Sequence, residues 1–132
     1  MIDKIQVILK SMSDAIPEVL AAAVVSVDDG LSIAEECRRE DMDSAAASAY
    51  LASIVKSNYN AIKLLAGDQV TEDILITTQD YYFIIRYLPD QPFFIFLMMT
   101  RGSWLGMARM VMAEYDGQFQ KFASFLADNY LD

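Results

Sequence analysis

The 132-residue sequence has no histidine and one cysteine, Cys37. Without histidine, Ser-His and Cys-His nucleophile pairs are excluded, as are most zinc sites. One cysteine cannot form a disulfide within the chain, which points to a reducing compartment. Cationic residues are scarce: 10 Lys and Arg face 19 Asp and Glu, for a net charge of −9. Such a surface repels phosphate backbones, so nucleic-acid binding is not expected. Anionic membranes are disfavoured for the same reason. Long apolar runs are also missing. A run such as Phe93 to Met99 falls far short of the ~20 residues that a spanning helix needs. No basic, apolar leader opens the sequence. These absences predict a cytoplasmic chain with no membrane insertion and no cofactor, organised as one domain over residues 1–132 without repeat, linker or low-complexity segment.

What is abundant is apolar residue content, at 55% against the ~45–50% of typical soluble domains. The excess needs a sink. A buried subunit interface is one; a full core with a leftover patch is the other.

Ile2, Ile5, Ile8, Leu9, Met12 and Ile16 form one stripe of an amphipathic helix, which Pro17 ends. Ala21 to Val27 reads as a strand, and Leu31 to Glu35 as a short second one. Asp41, Asp43 and Ser44 open a long helix over about 43–65, where acids suit the free N–H groups; Gly67 stops it. Val70 to Thr78 and Tyr81 to Leu88 read as two strands. Phe93 to Thr100 is apolar on both faces and reads as a central strand. Ser103 is the expected cap of a last helix with the stripe Leu105, Ala108, Val111, Met112, Tyr115, Phe119, Phe122 and Leu126. Gly117 lies inside that helix, where a kink or break is possible. Short connections imply antiparallel pairing. The expected fold is α+β: a five-stranded antiparallel sheet with helices on both faces, in the order α-β-β-α-β-β-β-α.

The stretch Asp28-Asp29-Gly30 between two strand-like runs is a hairpin signal. A calcium loop needs further oxygen ligands and a distal glutamate. A phosphate cradle needs more glycines and a following helix. A plain turn fits best.

Other chemistry-bearing residues have bland readings that fit better. Cys37 has Arg38 and Arg39 beside it, which can lower a thiol's pKa, but no base and no second cysteine. Glu35, Glu36, Glu40, Asp41 and Asp43 can be drawn as a divalent-metal site, yet read more simply as a charged loop before a helix. The aromatics Tyr81, Tyr82, Phe83 and Tyr87, with Phe93, Phe94 and Phe96, resemble a base-stacking platform, which the net charge opposes. Alternation places one ring set in the core and the other under a helix.

The succession VVSVDDGLSIAEE, DSAAASAYLASIV, a glycine, EDILITTQDYYFIIRYL and LGMARMVM resembles the Roadblock family, the dynein light-chain-like domains that include the bacterial MglB-like proteins. The resemblance covers about Ile2 to Leu126 and lies in the order of elements. It implies a Roadblock/profilin-like fold and a homo- or heterodimer in which the second helix and third strand make the contact. It also implies a scaffold or regulator of a small Ras-like GTPase, with no catalytic residues of its own. Arginines on loops (Arg38, Arg39, Arg101) are candidates for insertion into a GTPase site, and nothing marks one of them.

Two features bear on a dimer independently. On the second helix, Ala47, Leu51, Ile54, Val55, Ile62 and Leu65 share the expected core face. The opposite face carries Ala45, Ala49 and Ala52, then Lys56, Asn60 and Lys63. Small residues let another helix approach; alternatively, alanine is simply the best helix former. The third strand carries neither lysine nor proline in its body, so at an edge it is ready to pair. The expected homodimer interface is therefore Ala45, Ala49, Ala52, Lys56 and Asn60 with Ile74, Ile76 and Thr78. The reading is a non-enzymatic dimeric module that binds a small Ras-like GTPase. The alternative is a PAS-like small-molecule sensor, a fold that usually clusters its helices between the second and third strands.

Overall fold

Phe93–Met99 becomes the centre of the sheet, because a run apolar on both sides is stable only where both faces are covered. The structure, a computed structural model, describes the backbone of residues 2–88 and 91–130 and the side-chain surroundings of residues 3–88 and 91–122. Its elements are α1 (Ile2–Ala15), β1 (Val19–Ser26), β2 (Ser32–Cys37), α2 (Ser44–Ala66), β3 (Asp73–Thr77), β4 (Tyr81–Tyr87), β5 (Phe93–Thr100) and α3 (Leu105–Tyr130). The five strands form one antiparallel sheet in the order β2-β1-β5-β4-β3. The expected fold class and element order hold.

Alternation along the strands divides the core into two layers. On one face, α1 and α3 close over Ala22, Val24, Ile84, Ile95 and Leu97. The helix stripes are those expected: Ile5, Ile8, Leu9, Met12 and Ile16 from α1, and Ala108, Val111, Met112 and Phe119 from α3. The side chains of Ile2 and Leu126 lie outside the described residues. On the other face, α2 covers Ala21, Ala23 and Val25. The rings separate as alternation requires: Tyr81, Phe83, Tyr87, Phe94 and Phe96 on the α2 side, Tyr82 and Phe93 on the other.

Four local expectations are corrected. α3 runs unbroken through Gly117, which has open space around it. Ser103 does not cap α3; its hydroxyl donates to the Pro17 carbonyl at 2.8 Å, fastening the strand-to-helix turn to the end of α1. Residues 70–72 precede β3 instead of belonging to it.

The fourth correction concerns the face that α2 turns inward. It buries Ser48, Ala52 and Val55. Ala47, Ile54 and Leu65, expected in the core, are exposed, and Ala52, expected on the outer face, is 2% exposed. The cause is proximity. Gly30, at φ +71°, is buried under the helix, and a β-carbon there would stand 2.9 Å from the Ala49 Cα and 3.5 Å from the Ala52 Cβ. Only small side chains fit against the turn, so the larger apolar residues of α2 are displaced outward.

Candidate interaction surface

The Asp28-Asp29-Gly30 stretch is a turn, as expected. Ser26 and Leu31 close it through a backbone bond of 2.9 Å, and the Asp29 carboxylate accepts the Leu31 N–H at 3.0 Å. Lys56 of α2 donates to the Asp28 carbonyl at 2.9 Å. The turn is therefore a seat for α2.

A five-stranded sheet has two edges, here β2 and β3, and they differ. In β2 the Arg38 N–H reaches the Leu20 carbonyl, which fixes the alternation: Ala34 and Glu36 bond inward, while the backbone groups of Glu35 and Cys37 point out. The Gln6 side chain of α1 fills the outward position at Glu35. Its amide nitrogen donates to the Glu35 carbonyl and its amide oxygen accepts the Glu35 N–H at 3.2 Å. The same nitrogen reaches the Glu36 carboxylate at 2.9 Å. A register shift between Val24 and Val25 further disturbs this edge.

The β3 edge has no such cover among the described residues. Tyr87 N–H to Glu72 O and Thr78 N–H to Tyr81 O bracket the β3–β4 hairpin. Ile74 and Ile76 therefore bond inward to β4, and the outward groups belong to Asp73, Leu75 and Thr77. Ile74 and Ile76 present half-buried side chains on the α2 side of the sheet, Leu75 is 40% exposed, and Thr78 is spent closing the turn.

The residues expected at the interface thus fall into three groups. Ala52 is inside the core, and Ala49 is exposed, with its Cα standing over Gly30. Lys56 and Asn60 are exposed, with Lys56 tied to the turn, and Ala45 is exposed at the start of α2. The strand residues stand at the open edge. What the sequence reading missed is the outer apolar face of α2: Tyr50 at 75% and Ile54 at 37% exposure, flanking a shallow hollow with Ser53, Ser57 and Ala61. Spacing of three and four residues was the available signal; it placed Ile54 on the expected core face and left Tyr50 assigned to neither face.

Every arginine is engaged. Arg38 pairs with Asp14 and Arg39 with Asp41 and the Tyr81 hydroxyl. Arg86 forks onto Asp116 at 2.7 and 2.8 Å, and Arg109 onto Asp73 at 2.9 and 3.1 Å, clamping α3 over β3 and β4. Arg101 donates to the Thr78 carbonyl and lies 5.4 Å from the Tyr82 ring centre. The hydrogen bond to Asp41 is the main cause that pushes the Arg39 pKa above its ordinary value, and it holds Asp41 low in return. Tyr87 is pushed up by burial; its hydroxyl sits in a polar node with Asn58, at 3.0 Å, and the Val55 carbonyl, at 3.2 Å.

The acidic loop is likewise in use: Glu36 accepts from Gln6, Glu35 from Ser44, Asp41 from Arg39, and Asp43 caps α2 through the Ala46 N–H at 3.1 Å. Among the described residues no group of Cys, Asp and Glu side chains is arranged to hold a metal, and no helix is long and apolar enough to cross a membrane. Beyond Asn58, α2 overhangs a cavity of about 890 Å³ lined by Val55, Tyr59, Ile62, Val70 and Phe94. Cys37 is exposed, with its thiol directed at the Arg39 carbonyl.

This architecture has clear counterparts. MglB of Myxococcus xanthus superposes with a TM-score of 0.85 over 95% of this chain and 91% of that one, at 13% identity. The fold is that of the Roadblock domains. A Roadblock/LC7 domain from Streptomyces avermitilis follows at 0.75, covering 89% of this chain and 95% of that one, at 17% identity. Profilin IA of Acanthamoeba castellanii shares the wider architecture at 0.61, covering 88% and 96%, at 15% identity. The resemblance to the MglB branch of the Roadblock domains is thereby upheld as one of fold. No protein-family model matches the sequence, and no curated protein does.

Proposed function

We propose that this Roadblock-fold chain is a non-enzymatic interaction module that works in the cytoplasm. It assembles as a homodimer and, as a dimer, binds and regulates or scaffolds a small Ras-like GTPase. The observation that carries the reading is the difference between the two sheet edges. β2 is covered by Gln6, whereas β3 offers three consecutive outward positions beside the apolar outer face of α2. Two copies related by a twofold axis can pair β3 with β3 and bring Tyr50 and Ile54 of each α2 together. The interface is thus Tyr50, Ile54, Ile74, Leu75 and Ile76, with Ala45, Ala49 and Asn60 at its margin and Ala52 supporting the helix from within.

The GTPase partner is supported by the fold likeness to MglB and the Roadblock domains. The net charge of −9 suits a partner with a basic patch. Calorimetric titration of the chain with Ras-like GTPases, each loaded with GDP or a GTP analogue, tests this. Saturable binding that depends on the nucleotide is expected. No binding to any of them in either state contradicts the reading.

One observation favours a second reading, the small-molecule sensor: the cavity beneath α2 is of a size that small ligands fill. A single helix stands between β2 and β3, which is not the clustered arrangement of that fold. A small molecule recovered from the purified chain by native mass spectrometry would support this reading.

A further inference from the structure

The two sheet edges run in the same direction, since each step across β2-β1-β5-β4-β3 is antiparallel. This geometry offers two ways for copies to join. β3 against β3 about a twofold axis is antiparallel and closes on itself. β3 of one copy against β2 of the next, with the sheet faces kept on the same sides, is parallel and heterologous, so it does not close at two copies and adds further ones into a ring or a filament. The β3 backbone can serve either joint, and the apolar face of α2 beside it favours the twofold one. What bars the other lies at β2.

Resting on the dimer proposed above, we infer that the β2 edge is a second pairing surface for β3 of another copy, and that Gln6 is the residue that keeps it covered. A primary amide is suited to the task. It carries one donor group and one acceptor, and here it takes both the carbonyl and the N–H of Glu35, as the backbone of an added strand would. Glu35 is the outward residue in the middle of β2, so blocking it interrupts the ladder at its centre. The bond spans 29 residues of sequence and depends on α1 staying packed on β2. The register shift at Val24/Val25 and the charges of Glu35 and Glu36 are secondary guards.

The test compares the wild-type chain with Gln6→Leu, which roughly keeps the side chain's size on α1 and removes both bonds to Glu35, and with Gln6→Leu combined with Leu75→Pro. Sedimentation velocity is read over a concentration series, and amide exchange at Glu35 is read by NMR. A closed dimer is expected for the wild type. For Gln6→Leu, exchange at Glu35 about tenfold faster or more is expected at dilutions where no larger species form, and species larger than the dimer are expected as concentration rises. Adding Leu75→Pro is expected to abolish the larger species, because they need β3 as well. A dimeric wild type with a Gln6→Leu variant that also stops at the dimer overturns the inference and leaves the dimer standing. Unchanged exchange at Glu35 in the dilute, unassembled variant overturns it even if the variant aggregates at higher concentration. Larger species that persist with Leu75→Pro overturn it as well. A monomeric wild type overturns both.

Discussion

The Cα of Ala49 lies 2.9 Å from where a β-carbon on Gly30 would stand. Backbone meets backbone there, so neither side can yield by turning a rotamer. Gly30 is also at φ +71°. Gly67 also has a positive φ, +64° with ψ −112°, and nothing within 4 Å. The pair therefore separates two effects. Gly67→Ala is expected to cost about 1–3 kcal/mol for its positive-φ backbone alone. Gly30→Ala adds overpacking of about 1–3 kcal/mol. Urea midpoints of the two variants check this, and equal losses would mean that α2 is not seated on the turn.

Proline scanning tests the direction of the β3 backbone. Leu75 directs its N–H outward and Ile76 directs its N–H to β4. Leu75→Pro is expected to leave the chain folded and to weaken self-association, since proline is tolerated where an edge N–H faces away from the sheet. Ile76→Pro removes a ladder bond and is expected to destabilise the fold well beyond Leu75→Pro. Thermal melts alongside sedimentation distinguish them. Reversed roles would mean that the strand is in the other register.

Two carboxylates report on acid behaviour. The hydrogen bond from Lys10, then the contacts of Arg38, hold Asp14 below its ordinary value of 3.8. The hydrogen bond from Arg39 does the same for Asp41. A depressed folded pKa gives stability that is present above the unfolded value and lost as pH falls through the folded one. Carboxyl NMR titrations are expected to give midpoints below 3.8 for both groups. Lys10→Met is expected to move Asp14 alone back towards 3.8.

Arginines that are already tied down make poor insertions into a partner's active site. Arg38, Arg39 and Arg101 each have an internal partner. Alanine at each of these positions is expected to leave any stimulated GTP turnover within about twofold of the wild type, whereas an inserted arginine is worth 10³–10⁵ in such reactions. Single-turnover GTP hydrolysis with a cognate GTPase checks this.

Much of the fold was legible because single residues carried it: the two-sided apolar run at Phe93–Met99 marked the sheet centre, and Asp29-Gly30 marked a turn. The facing of α2 was not. Periodicity weighs large residues most, and here the inward face is Ser48, Ala52 and Val55, because the helix lies too close to Gly30 for anything bigger. Tyr50 and Ile54 were left outside by that closeness, which is a fact of tertiary structure. Gln6 gave no local signal at all. On an amphipathic helix it reads as a solvated residue, and its work depends on β2 arriving 29 residues later. The open edge of β3 was expected from resemblance; the strand order supplies its physical basis.

The central claim is that the open β3 edge and the outer face of α2 join two copies of this chain. Light scattering over a dilution series into the nanomolar range tests it most directly, with the wild type beside Ile54→Glu. The account predicts twice the 14.8 kDa chain mass for the wild type, and dissociation of Ile54→Glu at concentrations about tenfold higher or more. A monomer at every dilution, or a dimer indifferent to Ile54→Glu and to Leu75→Pro, would contradict it.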